Sequence, residues 1–337
     1  MLTHQSVLLK ETVEGVCPHD KSDGIFIDGT FGRGGHTLEL LTRLSAKAQV
    51  IVFDKDPQAI EAAQSLAQTD SRITVVHAGF GSMLASLATL GITSVDGVML
   101  DLGMSSPQID DAQRGFSFMR DGPLDMRMDT SRGETAAEWL AVAEVDEIKE
   151  VIKRYGEERF ALQIAKAIVA RRAIDPISTT LDLAGIVAST VRTREKGQHP
   201  ATRTFQAIRI HINREFEELD LALEATLTLL KTGARMAVIS FHSLEDRVVK
   251  QLMAAAARPD VALARLPIRE SELPQPILCQ LKRVRASDDE VSSNTRSRSA
   301  VLRIATRTAT PLPLAGARSF LPKVLNPIRR SKIKRVG

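Results

Sequence analysis

Four glycines, Gly29, Gly32, Gly34 and Gly35, crowd the run DGTFGRGGHT from Asp28 to Thr37, directly after a short apolar stretch, Ile25 to Ile27. A strand, a glycine turn and a helix start make a seat for a nucleotide-like ligand. Without a Cβ the chain takes positive φ, and a ligand can approach its N–H groups. Twenty residues after Gly34 a second apolar stretch, Val50 to Phe53, ends in Asp54. An acid at that spacing accepts hydrogen bonds from ribose hydroxyls in an open α/β sheet. The run departs from the dinucleotide fingerprint, because Thr37 stands where a third glycine or alanine belongs. That weakens the pyrophosphate reading and leaves a nucleoside-type ligand without phosphate, of which S-adenosylmethionine is the common one. A bare tight turn is the bland alternative, and Asp54 at the right distance weighs against it.

A second chemical segment is DLGMSSPQ, Asp101 to Gln108, after the apolar stretch Gly97 to Leu100. In methyltransferases acting on exocyclic amines this loop commonly reads Asp/Asn/Ser-Pro-Pro-aromatic, and Ser106-Pro107-Gln108 is a divergent version. A cytosine amine delocalises its lone pair into the ring. It becomes a nucleophile only when acceptors hold its hydrogens and let the nitrogen pyramidalise, work suited to backbone carbonyls beside a rigid proline and to a carboxylate or hydroxyl. Asp101, Ser106 and Pro107 are the candidate catalytic residues. The rest is in-line positioning and exclusion of water, with no metal required. Carbon methylation would need a thiolate in a Pro-Cys pair on this loop. Neither Cys17 nor Cys279 is there, so packing is their expected role.

The elements that must position these residues alternate. Asp56-Pro57 opens a helix to about Ala67, with Asp56 as N-cap; a strand follows at Ile73 to Val76, leading into His77-Ala78-Gly79-Phe80. Ser82 to Leu90 is a helix closed by Gly91. Strands and helices at this spacing predict βαβ units and a parallel sheet, whose ligands bind beyond the carboxyl ends of the strands. Asp28, Asp54, Phe80 and Asp101 all fall there.

From about Asp121 to Leu230 the pattern is helical, with a capping box at Thr135 to Glu138, helices ending at Gly156 and before Pro176, and one beginning at Thr179. One long helix is expected from Thr202 to Leu230, after which a strand resumes at Met236 to Phe241. Ile277 to Val284 and Ala300 to Thr306 predict a hairpin that closes the sheet with an antiparallel edge. The expected fold is therefore α/β, a mostly parallel sheet carrying an inserted helical domain. Residues 1–106 with 205–307 form the catalytic domain, 107–204 a helical insertion for substrate recognition, and 308–337 a basic tail. The tail has seven cations, four prolines and no acid, so disorder is expected, as a tether to phosphates or as a merely solvated end.

The 337 residues are 43% hydrophobic and 26% charged, the profile of an ordinary globular protein, and a net charge of +4 permits a polyanionic partner without demanding one. Two distant cysteines make neither a disulfide framework nor a zinc site, so no metal is expected. The opening residues carry Lys10, Glu11 and Glu14, which interrupt any signal-peptide core, and no apolar run approaches a membrane span. A cytoplasmic protein without a membrane partner is expected.

Six segments together are more specific than any glycine loop: HQSVLLKE (His4 to Glu11), DGTFGRGGHT, DLGMSSPQ, RGFSFMRDGPLDMRMD (Arg114 to Asp129), SFHSLEDR (Ser240 to Arg247) and NTRSRSAVLR (Asn294 to Arg303). In content and order the chain resembles the bacterial small-subunit ribosomal RNA cytosine N(4)-methyltransferase family. The resemblance implies a class I, Rossmann-like methyltransferase fold, S-adenosylmethionine as donor and a cytidine in the decoding region of 16S ribosomal RNA as substrate, probed within the small subunit or as naked RNA. Carried over by motif, Gly34, Gly35 and His36 hold the methionine end and backbone of the donor, Asp54 takes the ribose hydroxyls, Phe80 lies against adenine, and Asp101 and Gln108 reach the donor near the sulfonium. Met104 replaces the usual branched aliphatic residue, and no proline follows Asn294. The resemblance leaves monomer and homodimer both open.

Aromatics are only 4% of the chain, so Phe116, Phe118, Trp139 and Phe241 are the base-stacking candidates, each with core packing as its bland alternative. His242 either faces the base or caps the helix that Ser243 begins. Arg114, Arg120, Arg127, Arg132 and the cluster Arg192 to Arg203 could grip RNA, while Asp121, Asp125 and Asp129 offer the first four intramolecular partners. A nicotinamide-dependent oxidoreductase and an RNA-binding assembly factor without catalysis are the competing functions.

Overall fold

The computed structural model describes residues 6–20, 22–191, 199–259, 261, 269 and 272–322. Its strands are β1 (Ile25–Asp28), β2 (Gln49–Asp54), β3 (Ile73–His77), β4 (Val95–Asp101), β5 (Leu230–Ser240), β6 (Leu278–Arg285) and β7 (Val301–Arg307). The helices are α1 (Leu9–Val16), α2 (Gly35–Arg43), α3 (Pro57–Thr69), α4 (Met83–Thr89), α5 (Ser106–Asp110), α6 (Ala136–Val142), α7 (Val145–Gly156), α8 (Ala161–Arg172), α9 (Thr180–Thr190), α10 (Thr202–Asn213), α11 (Glu215–Leu229), α12 (Ser243–Ala257) and α13 (Asp288–Ser293). The chain divides into two compact units, one holding the described residues of 1–103 and 217–325, the other those of 104–216.

The first unit is a seven-stranded sheet in the order β3-β2-β1-β4-β5-β7-β6. β1 to β5 are mutually parallel, whereas β7 runs antiparallel to both β5 and β6. Val50, Ile51, Val52 and Phe53 of β2 are buried in succession, the continuous apolar run of a strand covered on both faces. On one face Phe26, Val50, Val52, Met99, Ile239 and Leu302 pack with Val13 and Val16 of α1 and Leu40 and Leu41 of α2. α3 begins as its sequence directs, since Asp56 accepts from the Gln58 N–H at 3.0 Å and Pro57 occupies the first turn. The outer strand β6 carries Lys282, Arg283 and Arg285 and a register shift between Cys279 and Lys282, two devices that keep an open edge from pairing further.

The second unit is helical, and among its described residues the only strand-like feature is an isolated bridge between Pro123 and Thr179. It extends from residue 104 to 216, beyond the 107–204 of the expected insertion. The added segment is α10, which packs on α7. The expected single helix from Thr202 to Leu230 is two, α10 and α11, separated by Arg214 at φ 51°. No glycine or proline marks the break. Asn213 makes it, donating to the Met126 and Arg209 carbonyls at 2.7 and 2.9 Å and accepting from the Met128 N–H at 2.7 Å. Arg209 then clamps Glu215 across the corner through two bonds of 2.7 and 2.8 Å.

The expected disorder of the tail does not hold over its described part. A single turn at Ala317–Phe320 packs on α12 with Ala317 buried, and Arg307 donates to the carbonyls of Thr308 and Thr310 at 2.8 and 2.7 Å, anchoring the chain as it leaves β7. Residues 323–337, with six of the tail's seven cations, lie outside the described residues.

The α7–α10 contact is close enough to test. A Cβ added at Gly156 would stand 2.6 Å from the Arg203 carbonyl oxygen, a backbone atom that can yield only if the helices separate. Gly156→Ala is expected to destabilise the protein by roughly 1–3 kcal/mol in urea unfolding, and an unchanged midpoint contradicts the close packing.

Candidate active site at the rim of the sheet

The glycine turn that follows β1 is stitched to the ends of two further strands, β2 and β4. Gly29 N–H donates to the Met99 carbonyl of β4 and Phe31 N–H to the Phe53 carbonyl of β2, both at 3.0 Å. Asp101 N–H donates to Thr30 Oγ1 at 2.6 Å. Gly34 caps α2 with φ 78°, a left-handed conformation, and an added Cβ there would meet the Phe31 ring at 2.7 Å. Gly35 is closed to a Cβ by Ser6 Oγ.

Acids end β1, β2 and β4, the three adjacent strands. Asp28 is buried, accepting from Thr37 Oγ1 at 2.6 Å and Thr30 N–H at 3.1 Å, and burial pushes its carboxyl up to about 6 despite both bonds. Thr37, the residue that breaks the dinucleotide pattern, thus spends its hydroxyl on Asp28. Asp54 accepts from Gly32 N–H and Asp56 N–H, each at 2.8 Å, and burial pushes it up to about 6 as well. Each of its oxygens keeps a second lone pair for a ligand hydroxyl. Asp101 stands 3.8 Å from His36 Nδ1 through Oδ2, while its Oδ1 is buried without a hydrogen-bond partner. Burial also pushes Asp101 up to about 6, with His36 lowering it and Asp28 and Glu245 raising it.

Phe80 opens a single turn, Phe80–Ser82, flanked by Gly79 and Gly81. Sequence reasoning missed what holds it. Glu218 of α11 accepts from Gly81 N–H at 2.8 Å and pairs with Lys55 at 3.1 Å, tying the Phe80 turn to the residue after Asp54. Glu218 lies 137 residues from Gly81, and no local signal joins them. His242 is the N-cap of α12, with Nδ1 accepting from Glu245 N–H at 3.3 Å, so capping is the role the structure supports.

Ser106, Pro107 and Gln108 belong to the second unit, in the first turn of α5, which the chain enters directly after Gly103. Gln108 Oε1 accepts from Ser105 N–H at 3.0 Å, half of a capping box, and Ser106 and Gln108 are buried. The cations expected to grip RNA are largely engaged within this unit. Arg114 is buried, donating to the Arg127 and Met128 carbonyls at 3.1 and 2.9 Å; Arg127 forks onto Asp125 through two bonds of 2.8 Å; Arg132 pairs with Asp129. Arg120 is exposed, with no ion-pair partner among the described residues, and Arg192 to Gly197 lie outside them. Of the aromatics, Phe116 and Trp139 are buried, Phe241 is half-buried, and Phe118 is half-buried against the exposed His199, ring centroids 4.6 Å apart. Cys17 is buried after α1 and Cys279 sits on the edge strand β6, neither on the Asp101 loop.

A sheet ordered β3-β2-β1-β4-β5-β7-β6, with a glycine turn after β1, an acid after β2 and a chemical loop after β4, defines a class I methyltransferase. Residues 1–308 match the MraW methylase family, and the chain belongs to it, as the six motifs implied. Among its relatives are proteins called ribosomal RNA small subunit methyltransferase H. The one from Bordetella avium is 62% identical over 95% of this chain and 96% of its own. Those from Bordetella petrii and Burkholderia cenocepacia are 67% and 56% identical, over 90% and 91% of this chain and 84% and 98% of theirs.

The three acids at the strand ends set a pH dependence. Unfolded, they release their protons near pH 4; folded, they hold them to about 6. The native state therefore binds more protons between those values, and stability falls as pH rises through about 6. The ligand-free protein is expected to be more stable to urea at pH 5 than at pH 7.5, by on the order of 1–3 kcal/mol. A midpoint that rises with pH over that range would remove the assignment.

Proposed function

We propose that this protein transfers a methyl group from S-adenosylmethionine to the exocyclic N4 amine of a cytidine in the decoding region of 16S ribosomal RNA. The observation that carries the donor side is the pair of acids at the ends of β2 and β4. Asp54 has acceptor capacity left for two ribose hydroxyls, and Asp101 holds a buried oxygen with no partner, an arrangement that fits a cationic nucleoside. When bound, the donor supplies a methyl already activated by its sulfonium. The chain's own residues do the rest. Gly34, Gly35 and His36 bracket the methionine end, Asp54 orients the ribose, and Phe80 lies against adenine, its turn held by Glu218. Asp101, Ser106 and Pro107 present the target amine with acceptors that draw the lone pair out of the ring, and Asp101 and Gln108 are assigned to the donor near its sulfonium. Nitrogen rather than carbon is the target because no cysteine stands on the Asp101 loop. We place the reaction in the cytoplasm, on 16S ribosomal RNA within the small subunit; no described helix is long and apolar enough to cross a membrane. A nicotinamide-dependent oxidoreductase is disfavoured by Thr37, whose hydroxyl serves Asp28 where the dinucleotide pattern needs a small residue.

Asp54→Ala is expected to weaken S-adenosylmethionine binding at least tenfold by calorimetry, since two hydrogen bonds to a carboxylate are lost, each about 1.5–3 kcal/mol. Tight NADH binding with no uptake of the methyl donor would favour the oxidoreductase. Mass spectrometry of RNA methylated as naked transcript, small subunit or whole ribosome is expected to find the label on cytidine N4, and to identify the substrate state.

The cations separate by their pairing. Arg120→Ala is expected to weaken RNA binding and to flatten the slope of log K against log salt by about 0.7–0.9. Arg127→Ala is expected to lower the unfolding midpoint and leave that slope alone; the reverse pattern contradicts this division.

A further inference from the structure

His36 Nδ1 and Asp101 Oδ2 stand 3.8 Å apart at the rim of the sheet. The His36 Nε2–H donates to the Val7 carbonyl at 3.1 Å, which settles the neutral ring's proton on Nε2 and leaves Nδ1 as a lone pair. Nδ1 lies 3.8 Å from Asp101 Oδ2, and the other carboxylate oxygen is buried with no partner. Two acceptors so placed repel until one proton joins them. The surroundings favour its uptake: burial pushes the Asp101 carboxyl up to about 6 although a charged His36 would lower it, and Asp28 at the end of β1 and Glu245 in the first turn of α12 add to the rise. Glu245 is itself bonded to the Phe241 and His242 N–H groups, and His242 lies 3.1 Å from its other oxygen. The nearby polar groups Thr30 and Thr37 are spent on Asp101 N–H and Asp28.

We propose that the His36–Asp101 couple accepts the proton released by the target amine, and that the donor's positive charge decides when it does so. The proposal rests on the methyl-transfer reading above. In the step, the amine lone pair forms the new N–C bond while the C–S bonding pair leaves to sulfur, which ends as a neutral thioether. The nitrogen, now positively charged, yields one N–H proton to the couple. A cation held at this rim drives the couple's own proton out to solvent on binding. Transfer then erases the charge on sulfur at the moment the nitrogen must lose a proton, so the couple's affinity for a proton returns when it is needed. An opposite charge within ~4–6 Å moves a carboxyl by about 1–3 pH units, enough to switch the couple near neutrality.

Proton linkage measured by binding alone tests this. The full chain is titrated with S-adenosylmethionine and with S-adenosylhomocysteine near pH 6, in buffers of low and high ionisation enthalpy. The methyl donor is expected to release roughly half a proton more than the thioether product, and the ratio of their affinities to climb with pH by up to about tenfold per unit below the couple's midpoint. Asp101→Asn is expected to abolish both differences. His36→Gln is expected to move the midpoint, because the Nδ1 partner that shares the couple's proton is lost, and this variant decides the matter where Asp101→Asn fails to bind. Equal proton release by the two ligands overturns the proposal, as does an excess that survives Asp101→Asn or a midpoint unmoved in His36→Gln. Binding of neither ligand to the unaltered protein would sink the donor reading itself, and the proposal with it.

Discussion

Keeping carboxylates at the desolvated rim where three adjacent parallel strands end is the constraint on which this protein depends. Asp28, Asp54 and Asp101 end β1, β2 and β4, and burial raises all three toward neutrality. A buried carboxylate is costly unless hydrogen bonds or charges meet it. The glycine turn meets two of them: Thr30 and Thr37 bond Asp28, and Gly32 bonds Asp54. The third has only a distant histidine. The rim is thus negatively charged and incompletely satisfied without a ligand, the state a cationic nucleoside would complete.

The same economy explains the second unit. The run from Arg114 to Asp129 is rich in charge, yet its cations mostly hold its own loop together. Arg114 braces the carbonyls of residues 127 and 128, Arg127 forks onto Asp125, and Asn213 ties Met126 and Met128 to the corner between α10 and α11. A segment with little regular structure must place its polar backbone groups on side chains. Arg120 alone of the first four expected RNA contacts is exposed and unpaired among the described residues, so charge in a sequence counts cations without saying which are free.

Much of the fold was legible locally. The seven strands, the Asp56 and Thr135 caps, the helix stop at Gly156 and the antiparallel edge all follow from period, caps and turn residues within a dozen positions. The glycine turn after β1 and the acid that ends β2 were legible too, because they sit at a spacing that the βαβ unit itself sets. The break at Arg214 was hidden, since the residues that force it, Asn213 and Glu215, act through partners at Met126 and Arg209 and not through a helix breaker. So was the role of Glu218, whose contact with Gly81 closes over more than a hundred residues.

By itself the sequence determined the class of chemistry: which residue types end the strands, where the glycines lie, and that no cysteine is available as nucleophile. Those are properties of composition and spacing, and a strand's end is a local event. Only tertiary structure decided the protonation and engagement of the groups. That Asp28 is satisfied while Asp101 keeps one buried oxygen bare and the other 3.8 Å from His36, or that Arg127 is spent and Arg120 is not, depends on burial and on partners brought together across the sheet or within the helical unit. Desolvation and long-range pairing have no signature along the chain, because both are set by what folds against a residue rather than by what precedes it.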